Sequence, residues 1–186
     1  MGAALQRRGR GLLAWRCGPP SKHSAPGGPE SGIAPLMSDD FTLPEDKAER
    51  MERCAIFYTD VVPHNHALGL RLVDIRAAEA TVELPYAENL VGNPETGVIA
   101  GGAVTTLIDA TCGTAVFLRL GRFAPLVTLD LRIDYLRPAR PGIVLTCVAE
   151  CYRLTRQVAF VRAFVHQGDP GHPVASAQGT FMRTEE

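Results

Sequence analysis

One carboxylate lies inside a long apolar segment of this sequence. Asp109 falls within the run from Gly101 to Leu120, in which every other residue up to Leu118 is apolar, small or a hydroxyl. Burying an unpaired carboxylate is costly, so such a side chain is commonly placed for chemistry. Asp109 can accept a proton as a general base or, as the less favoured role, act as a nucleophile. The alternative is a structural aspartate satisfied by a hydroxyl or a backbone amide.

Two glycines, Gly101 and Gly102, begin the same segment. The first backbone N–H groups of a helix have no partner inside the helix and carry partial positive charge. Glycine lets a ligand approach that backbone closely, so the N–H of Gly101 can stabilise an oxyanion, with Gly102 beside it. The alternative is that both glycines only allow close packing of the helix.

The segment that carries these residues has the features of a single helix. Turn formers precede it between Asn93 and Gly97, and Gly121 marks its end. Its length favours a helix over a strand, and its lack of a polar stripe predicts a helix that is buried on all sides.

Strand patterns flank this helix in the sequence. Gly69 to Arg76 and Glu79 to Leu84 alternate as a hairpin. The other predicted elements are a helix at Pro44 to Tyr58, loops at Val61 to Leu68 and Pro85 to Thr96, and strands at Leu126 to Leu136, Gly142 to Tyr152, Gln157 to His166 and Val174 to Arg183. This order predicts an α+β fold in which a curved antiparallel sheet of about six strands wraps the long central helix.

The strand after the helix is predicted to have one face in solvent. Its polar positions alternate with Leu129, Leu131 and Ile133. By this alternation the solvent face carries Thr128, Asp130, Arg132 and Asp134.

The composition excludes several classes of function. The chain has 186 residues, 46% of them hydrophobic, and a formal charge of −1, which allows one domain with a core but no basic surface for nucleic acid. The central Asp109 argues against a membrane span. The five cysteines form no CxxC pair, and His64 and His66 lack a partner at metal spacing. The sequence therefore indicates no disulfide framework, no metal site and no cofactor.

Residues 1–36 differ in composition from the rest of the chain. They carry five basic residues against one acidic residue, Glu30, and are rich in Gly, Pro and Ser from Gly18 onward. This predicts a disordered or dispensable extension before a folded domain at residues 37–186. Translation from Met37 is an alternative account of the extension. The expected location is cytoplasmic, or mitochondrial if the Arg-rich N-terminus is a transit peptide.

The order of elements and the placement of polar residues resemble the hotdog-fold thioesterases, most closely the PaaI-type branch of phenylacetic acid degradation. The resemblance covers roughly Pro63 to Arg183, nearly the whole folded region. The family motif consists of a loop Asn, a Gly, a Gly pair, a helix acid, and a Ser or Thr two positions before a strand Asp. The matching residues are Asn93, Gly97, Gly101, Gly102, Asp109, Thr128 and Asp130, followed by Tyr135 to Ala139 and by Arg156 before Val158 to Phe160.

This resemblance implies an acyl-CoA thioesterase, which releases a carboxylic acid and free CoA. With this resemblance, Asn93 can orient the attacking water or the carbonyl, and Thr128 can hydrogen-bond the attacking water or Asp109. The alternatives are a turn residue at Asn93 and an ordinary strand residue at Thr128. The resemblance further implies a homodimer or homotetramer with interfacial active sites. Each site then joins Asn93 and Gly101 of one subunit to Asp109 and Thr128 of the other.

CoA carries phosphates, which favour arginine. Four arginines at predicted strand ends are candidates for binding them, and the alternative is a solvated basic rim: Arg137, Arg140, Arg153 and the favoured Arg156.

The chain departs from the family where the usual His before the Gly pair is Ala100. Two alternative functions depend on this position. A hydratase or dehydratase of the same fold needs an Asp and His pair, so the missing His opposes it. A non-catalytic module that binds acyl-CoA is mildly favoured by the missing His and opposed by the retained Asp109.

Overall fold

The computed structural model describes residues 42–184 of the chain. The predicted extension at residues 1–36 lies outside the described residues. Within the described part, three α-helices and eight strands occur in an order close to that predicted from the sequence.

The central helix, α3, spans Gly101–Leu120, as predicted. It ends because Gly121 adopts a left-handed conformation (φ 71°) and donates its backbone N–H to the Phe117 carbonyl. Ten of its residues are buried, but Gly101, Gly102 and Thr105 are exposed. The prediction that the helix is buried on all sides is therefore wrong for a single chain, in which one face of the helix is exposed to solvent. Glycines and threonines are too small to close that face.

α3 is long and apolar enough to cross a bilayer, by length and composition alone. Within its most apolar window, 56% of the residues are buried inside the protein. That is the pattern of a helix packed in the core of a domain.

Six strands form one antiparallel sheet that packs against α3, as predicted. The strands are β1 (Arg71–Ile75), β2 (Glu79–Leu84), β5 (Leu126–Tyr135), β6 (Leu145–Leu154), β7 (Val158–His166) and β8 (Ala175–Arg183). Their order in the sheet is β1-β2-β6-β7-β8-β5. β5 therefore lies at an edge and pairs only with β8 among the described strands.

A bulge in β5 changes which side chains face the helix. Thr128 pairs with Phe181 and Asp130 pairs with Thr180, so Leu129 is an extra residue without a partner on β8. A one-residue insertion moves the residues before it to the other face of the sheet.

The predicted alternation of β5 is wrong at Thr128 and at Leu129 for this reason, and Leu129 is exposed where an inner residue was predicted. Thr128 shares the inner face with Leu131, Ile133 and Tyr135, whose partners on β8 are Gly179, Ala177 and Ala175. Thr128 therefore does not share a face with Asp130, Arg132 and Asp134.

The N-terminal region contains more helix than the sequence predicted. α1 (Lys47–Ile56) begins at Asp46, whose side chain accepts a hydrogen bond from the backbone N–H of Glu49, and continues as a π-helical turn at Phe57–Val61. The predicted loop at Val61 to Leu68 is wrong, because Pro63–Leu68 forms a short helix, α2. Proline at its first position and Gly69 (φ 70°) at its end explain its bounds.

The segment predicted as a loop at Pro85 to Thr96 is only partly irregular. A 3-10 turn at Glu88–Leu90 leads into β3 (Val91–Asn93), which pairs with β4 (Val98–Ile99) in a small separate hairpin. Only Ala100 separates the end of this hairpin at Ile99 from the first residue of α3.

Candidate active site

Asp109 and Thr128 meet between the middle of α3 and the start of β5. The hydroxyl of Thr128 donates a hydrogen bond of 2.8 Å to Oδ1 of Asp109. Asp109 is half-buried, so one wall of its surroundings is open. The structure thus brings together the two candidate residues that are separated by a helix-to-strand connection in the sequence.

The pair lies in a cleft of about 670 Å³ between α3, the edge of the sheet and the N-terminal helices. The polar wall of this cleft contains His64, Thr105, Thr106, Asp109 and Thr128. The apolar wall contains Phe57, Val62, Phe117, Ala124, Leu126, Leu131 and Phe181. A mainly apolar cleft with a few convergent polar groups is typical of a site for an organic substrate.

The base of the cleft is fixed by a buried tyrosine. Tyr58 donates a hydrogen bond to the Ala110 carbonyl at 3.0 Å, and its oxygen lies 2.6 Å from the hydroxyl of Thr114. Burial raises the pKa of Tyr58 well above its usual range, so the group stays a neutral phenol. A phenyl cluster closes the far end, where the rings of Phe57 and Phe117 are 5.4 Å apart.

The N-terminus of α3 is a second polar feature. Its capping position is Ala100, which supplies no side-chain hydrogen bond, so the first N–H groups are left for a ligand. Tyr135 donates to the Gly101 carbonyl at 3.0 Å and lies 3.3 Å from the hydroxyl of Thr105. A cavity of about 530 Å³ adjoins this helix end and is lined in part by Gly101, Tyr135 and Arg137.

The two glycines at this helix end differ in their surroundings. A Cβ added to Gly101 would come within 3.2 Å of the Tyr135 hydroxyl, whereas one added to Gly102 would meet nothing within 4 Å. Close packing within the chain therefore accounts in part for Gly101 and not for Gly102. Open space above Gly102 fits a ligand or a second subunit.

Asn93 lies at the end of β3, away from the cleft that contains Asp109. Its side-chain oxygen accepts a hydrogen bond from the backbone N–H of Glu95, and its carbonyl accepts one from Gly97. These are the contacts of a turn. The side-chain amide nitrogen has no hydrogen-bond partner among residues 42–184 and can donate to a bound molecule.

The four candidate arginines lie at strand ends, but at two different ends of the sheet. Arg137 and Arg140 follow β5, where the backbone N–H of Arg140 binds the side chain of Gln167. Arg153 and Arg156 lie where β6 turns into β7, beside the opposite end of β8. All four are exposed, and they do not form one cluster within a single chain.

Sequence reasoning alone misses two side chains in the site. The sequence predicts His64 to be an ordinary polar residue of a loop, yet its Nε2 lies 3.2 Å from the hydroxyl of Thr106 in the cleft. Tyr135 is only a motif match in the sequence, yet it binds the first residue of α3. The proline before His64 is a helix-start signal that could have predicted its placement.

The described cysteines are not candidates for a nucleophile. Burial raises the pKa of the Cys54 and Cys147 thiols to about 12, and it also raises the pKa of Cys112 and Cys151. A thiol with such a pKa is neutral near pH 7, whereas the thiolate is the reactive form. Among residues 42–184, the partly exposed carboxylate of Asp109 is therefore a better candidate, because it can activate a water molecule as the nucleophile.

Comparison with known proteins agrees with this geometry. The model of the thioesterase superfamily matches residues 96–174, which include Gly101, Asp109 and Thr128. The medium/long-chain acyl-CoA thioesterase YigI of Salmonella typhimurium is 31% identical over 135 residues, which cover 65% of this chain and 85% of that protein. This chain belongs to the thioesterase superfamily. It is therefore a thioester hydrolase, and its helix and six-stranded sheet form the hotdog fold.

Solved structures of similar proteins show the same architecture. A Pseudomonas aeruginosa protein is 45% identical with a TM-score of 0.65, and the match covers 72% of this chain and 98% of that one. A mutant of the phenylacetic acid degradation protein PaaI from Thermus thermophilus is 30% identical with a TM-score of 0.57, covering 65% and 98%. The predicted resemblance to the PaaI-type thioesterases is confirmed.

Proposed function

We propose that this thioesterase hydrolyses acyl-CoA to a carboxylic acid and free CoA, with Asp109 as the general base. The observation that carries the proposal is the Asp109–Thr128 hydrogen bond on the wall of a largely apolar cleft. The relative YigI, named as a medium/long-chain acyl-CoA thioesterase, supports CoA as the leaving group and an aliphatic acyl chain as the substrate.

The reaction requires a base, an oxyanion donor and a leaving group. Asp109 takes a proton from water while the water oxygen forms a bond to the thioester carbonyl carbon. The carbonyl oxygen becomes an oxyanion that the N–H of Gly101 stabilises. The carbon–sulfur bond then breaks, and the CoA sulfur takes the proton from Asp109. The products are a carboxylic acid and the CoA thiol.

These roles cannot all be met within one chain. Asp109 lies two helical turns beyond Gly101, about 12 Å along the axis of α3. A general base must lie within hydrogen-bond reach of the attacking water, beside the same carbonyl that the oxyanion donor binds. We therefore propose that each site joins two subunits, as the resemblance implied.

The edge of the sheet supports this arrangement. One edge of β5 pairs with no other strand in the described part of the chain, and the exposed apolar side chains of β5 include Val127, Leu129 and Tyr135. Antiparallel pairing of β5 with the same strand of a second subunit, centred at Arg132 and with Leu129 again left out of the register, sets Tyr135 opposite the partner's Thr128. Because Tyr135 binds Gly101, the pairing brings the start of α3 to the partner's Asp109. Such pairing also covers an edge that is otherwise open to aggregation.

The same pairing suggests where the CoA portion binds. Arg137 lines the cavity beside Gly101, so its guanidinium can reach a phosphate on the side of the thioester opposite the acyl chain. Arg140, Arg153 and Arg156 stay candidates for the remaining phosphates.

The proposed activity is tested by incubating the purified protein with acetyl-, hexanoyl-, palmitoyl- and phenylacetyl-CoA. Free thiol and the matching carboxylic acid are both measured, since hydrolysis must release them in equal amounts. Asp109→Asn serves as the control for a contaminating thioesterase. Crotonyl-CoA separates the alternatives, because a hydratase adds water to its double bond and leaves the thioester intact. Binding of all these compounds without release of thiol would contradict the proposal.

A further inference from the structure

Gly113 lies in the interior of α3 without a structural reason to be glycine. Glycine is among the least favourable residues inside a helix. Gly113 is not among the glycines with positive φ, so its backbone does not require it. A Cβ added to Gly113 would meet nothing within 4 Å, so packing within the chain does not require it either. The space above this residue is therefore open to a molecule from outside the chain.

That space belongs to the cleft that contains the catalytic pair. Gly113 lies one helical turn beyond Asp109, and Phe117 lies one turn further, about 12 Å from Asp109 along the axis. On the facing wall the strand runs the opposite way, so Leu126 precedes Thr128 and Ala124 precedes Leu126. The polar end of the cleft is therefore at Asp109, and its apolar end is at Phe117.

We propose that the acyl chain of the substrate lies along α3 across the face of Gly113, with its far end at the rings of Phe57 and Phe117. This assignment rests on the proposed function, and it makes Gly113 a determinant of chain length. The missing side chain leaves a path between the helix and Leu126, through which an aliphatic chain passes from Asp109 to the phenyl cluster. A larger residue at position 113 closes this path one turn beyond the catalytic carboxylate.

The test uses straight-chain acyl-CoA substrates from acetyl- to palmitoyl-CoA. Each methylene that leaves an apolar site weakens binding about fourfold, so excluding three or more lowers kcat/KM by at least about 50-fold. Gly113→Leu is expected to lose this much with palmitoyl-CoA and to stay within about threefold of wild type with acetyl-CoA, which ends before the blocked region. Arg119→Leu is the matched control, because it adds the same side chain to an exposed position of the same helix outside the cleft.

Gly113→Ala gives a second measurement that does not depend on activity. Its methyl group meets open space, so replacing glycine inside the helix raises Tm by about 2–4 °C. Its preference among substrates shifts in the same direction as that of Gly113→Leu, by a smaller amount. A lowered Tm or a loss of the dimer on gel filtration would overturn the inference, since it would place a second subunit above Gly113.

The outcomes separate this inference from the proposed function. An active wild type whose chain-length preference is unchanged in Gly113→Leu overturns the path of the acyl chain alone. An equal loss with acetyl- and palmitoyl-CoA also overturns it. A wild type that cleaves none of the substrates overturns the proposed function, and the inference with it.

Discussion

Thr128 donates a 2.8 Å hydrogen bond from the first half of β5 to Oδ1 of Asp109 in the middle of α3. This bond fixes the direction of the carboxylate. The other oxygen, Oδ2, has no hydrogen-bond partner among residues 42–184 and can accept a proton from water. The two residues thus form one unit, in which the threonine positions the proposed base.

Replacing Asp109 by Asn tests the base directly. Asp109→Asn nearly keeps the shape of the side chain but removes its capacity to take a proton, so kcat is expected to fall by at least about 100-fold. Acyl-CoA should still bind, as measured by calorimetry. Asp130→Asn is the control, because Asp130 is exposed two positions after Thr128. An Asp109→Asn variant with the kcat of wild type would refute the assigned role.

The hydroxyl of Thr128 can be removed without changing the size of the side chain. A hydrogen bond to a charged group contributes about 1.5–3 kcal/mol, so Thr128→Val is expected to lower kcat by about 10- to 100-fold. Thr128→Ser keeps the hydroxyl and should stay within about threefold of wild type. The comparison is made at saturating substrate. Equal activity of the Val and Ser variants would show that the bond to Asp109 has no part in the reaction.

A site shared between subunits predicts recovery of activity in mixed dimers. Asn93→Asp keeps the oxygen that accepts from Glu95 but loses the amide donor, so the turn is preserved. This variant and Asp109→Asn are each expected to be nearly inactive. After random subunit exchange, about half of the dimers are mixed, and one of the two sites in each mixed dimer carries neither substitution. About one quarter of the sites should then be intact.

Subunit exchange must be verified independently, for example by native mass spectrometry of one isotope-labelled variant. If each site belonged to one chain, every site in the mixture would keep one substitution. Absence of recovery after complete exchange would therefore contradict the shared site. Full activity of Asn93→Asp alone would instead limit Asn93 to its role in the turn.

The extension at residues 1–36 is predicted to be dispensable from its composition. A protein consisting of residues 37–186 should keep the Tm and kcat of the full chain, because a segment rich in Gly, Pro and Ser adds little to a core. Fluorescent fusions of the two forms test the expected cytoplasmic location. A mitochondrial signal from the full chain alone would support the transit peptide, and a large fall in Tm would show that the segment packs on the domain.

Stability is predicted to depend on the protonation of His166. Burial lowers the pKa of His166 below its usual 6.5, although Asp169 offsets part of this effect, and its Nδ1 has no hydrogen-bond partner in the described part of the chain. Below pH 6.5, His166 binds a proton more readily in the unfolded chain than in the folded protein. The free energy of unfolding should therefore fall as the pH drops from 6.5 towards the lower pKa of the folded state.

The measurement is the Tm of wild type and His166→Gln between about pH 7.5 and about pH 5.5. The Tm of wild type should fall more steeply, because glutamine does not take up the proton. His66→Gln is the control for the substitution itself, since it makes the same change of side chain at an exposed position. Parallel slopes for wild type and His166→Gln would exclude His166 as the cause.

The central helix and the sheet could be predicted from the sequence because their signals are strong and local. An apolar run ended by Gly121 predicts α3, and alternation bounded by turn residues predicts the strands. The helix Pro63–Leu68 was missed because it has only six residues and lies in a polar stretch. Such a short helix depends on its end residues, Pro63 and Gly69, more than on any periodic pattern.

The candidate site was harder to predict, because it depends on contacts between distant parts of the chain. Periodicity placed Thr128 on the solvent face, and only the family motif linked it to Asp109. The arginines illustrate a different limit. A sequence shows that Arg137 and Arg156 lie near strand ends, but the antiparallel order of β5, β8 and β7 decides that these are opposite ends.

The bulge at Leu129 makes the length of this strand more important than the identity of that residue. Leu129 is the extra residue of β5 and has no partner on β8, so the register of the strand depends on its presence and not on the type of its side chain. Deletion of the Leu129 codon would have a larger effect than a substitution at this position. Without the bulge, β5 alternates regularly, so Thr128 turns away from Asp109 although both residues are still in the sequence. A genetic variant of this kind would retain every motif residue and still encode an impaired enzyme.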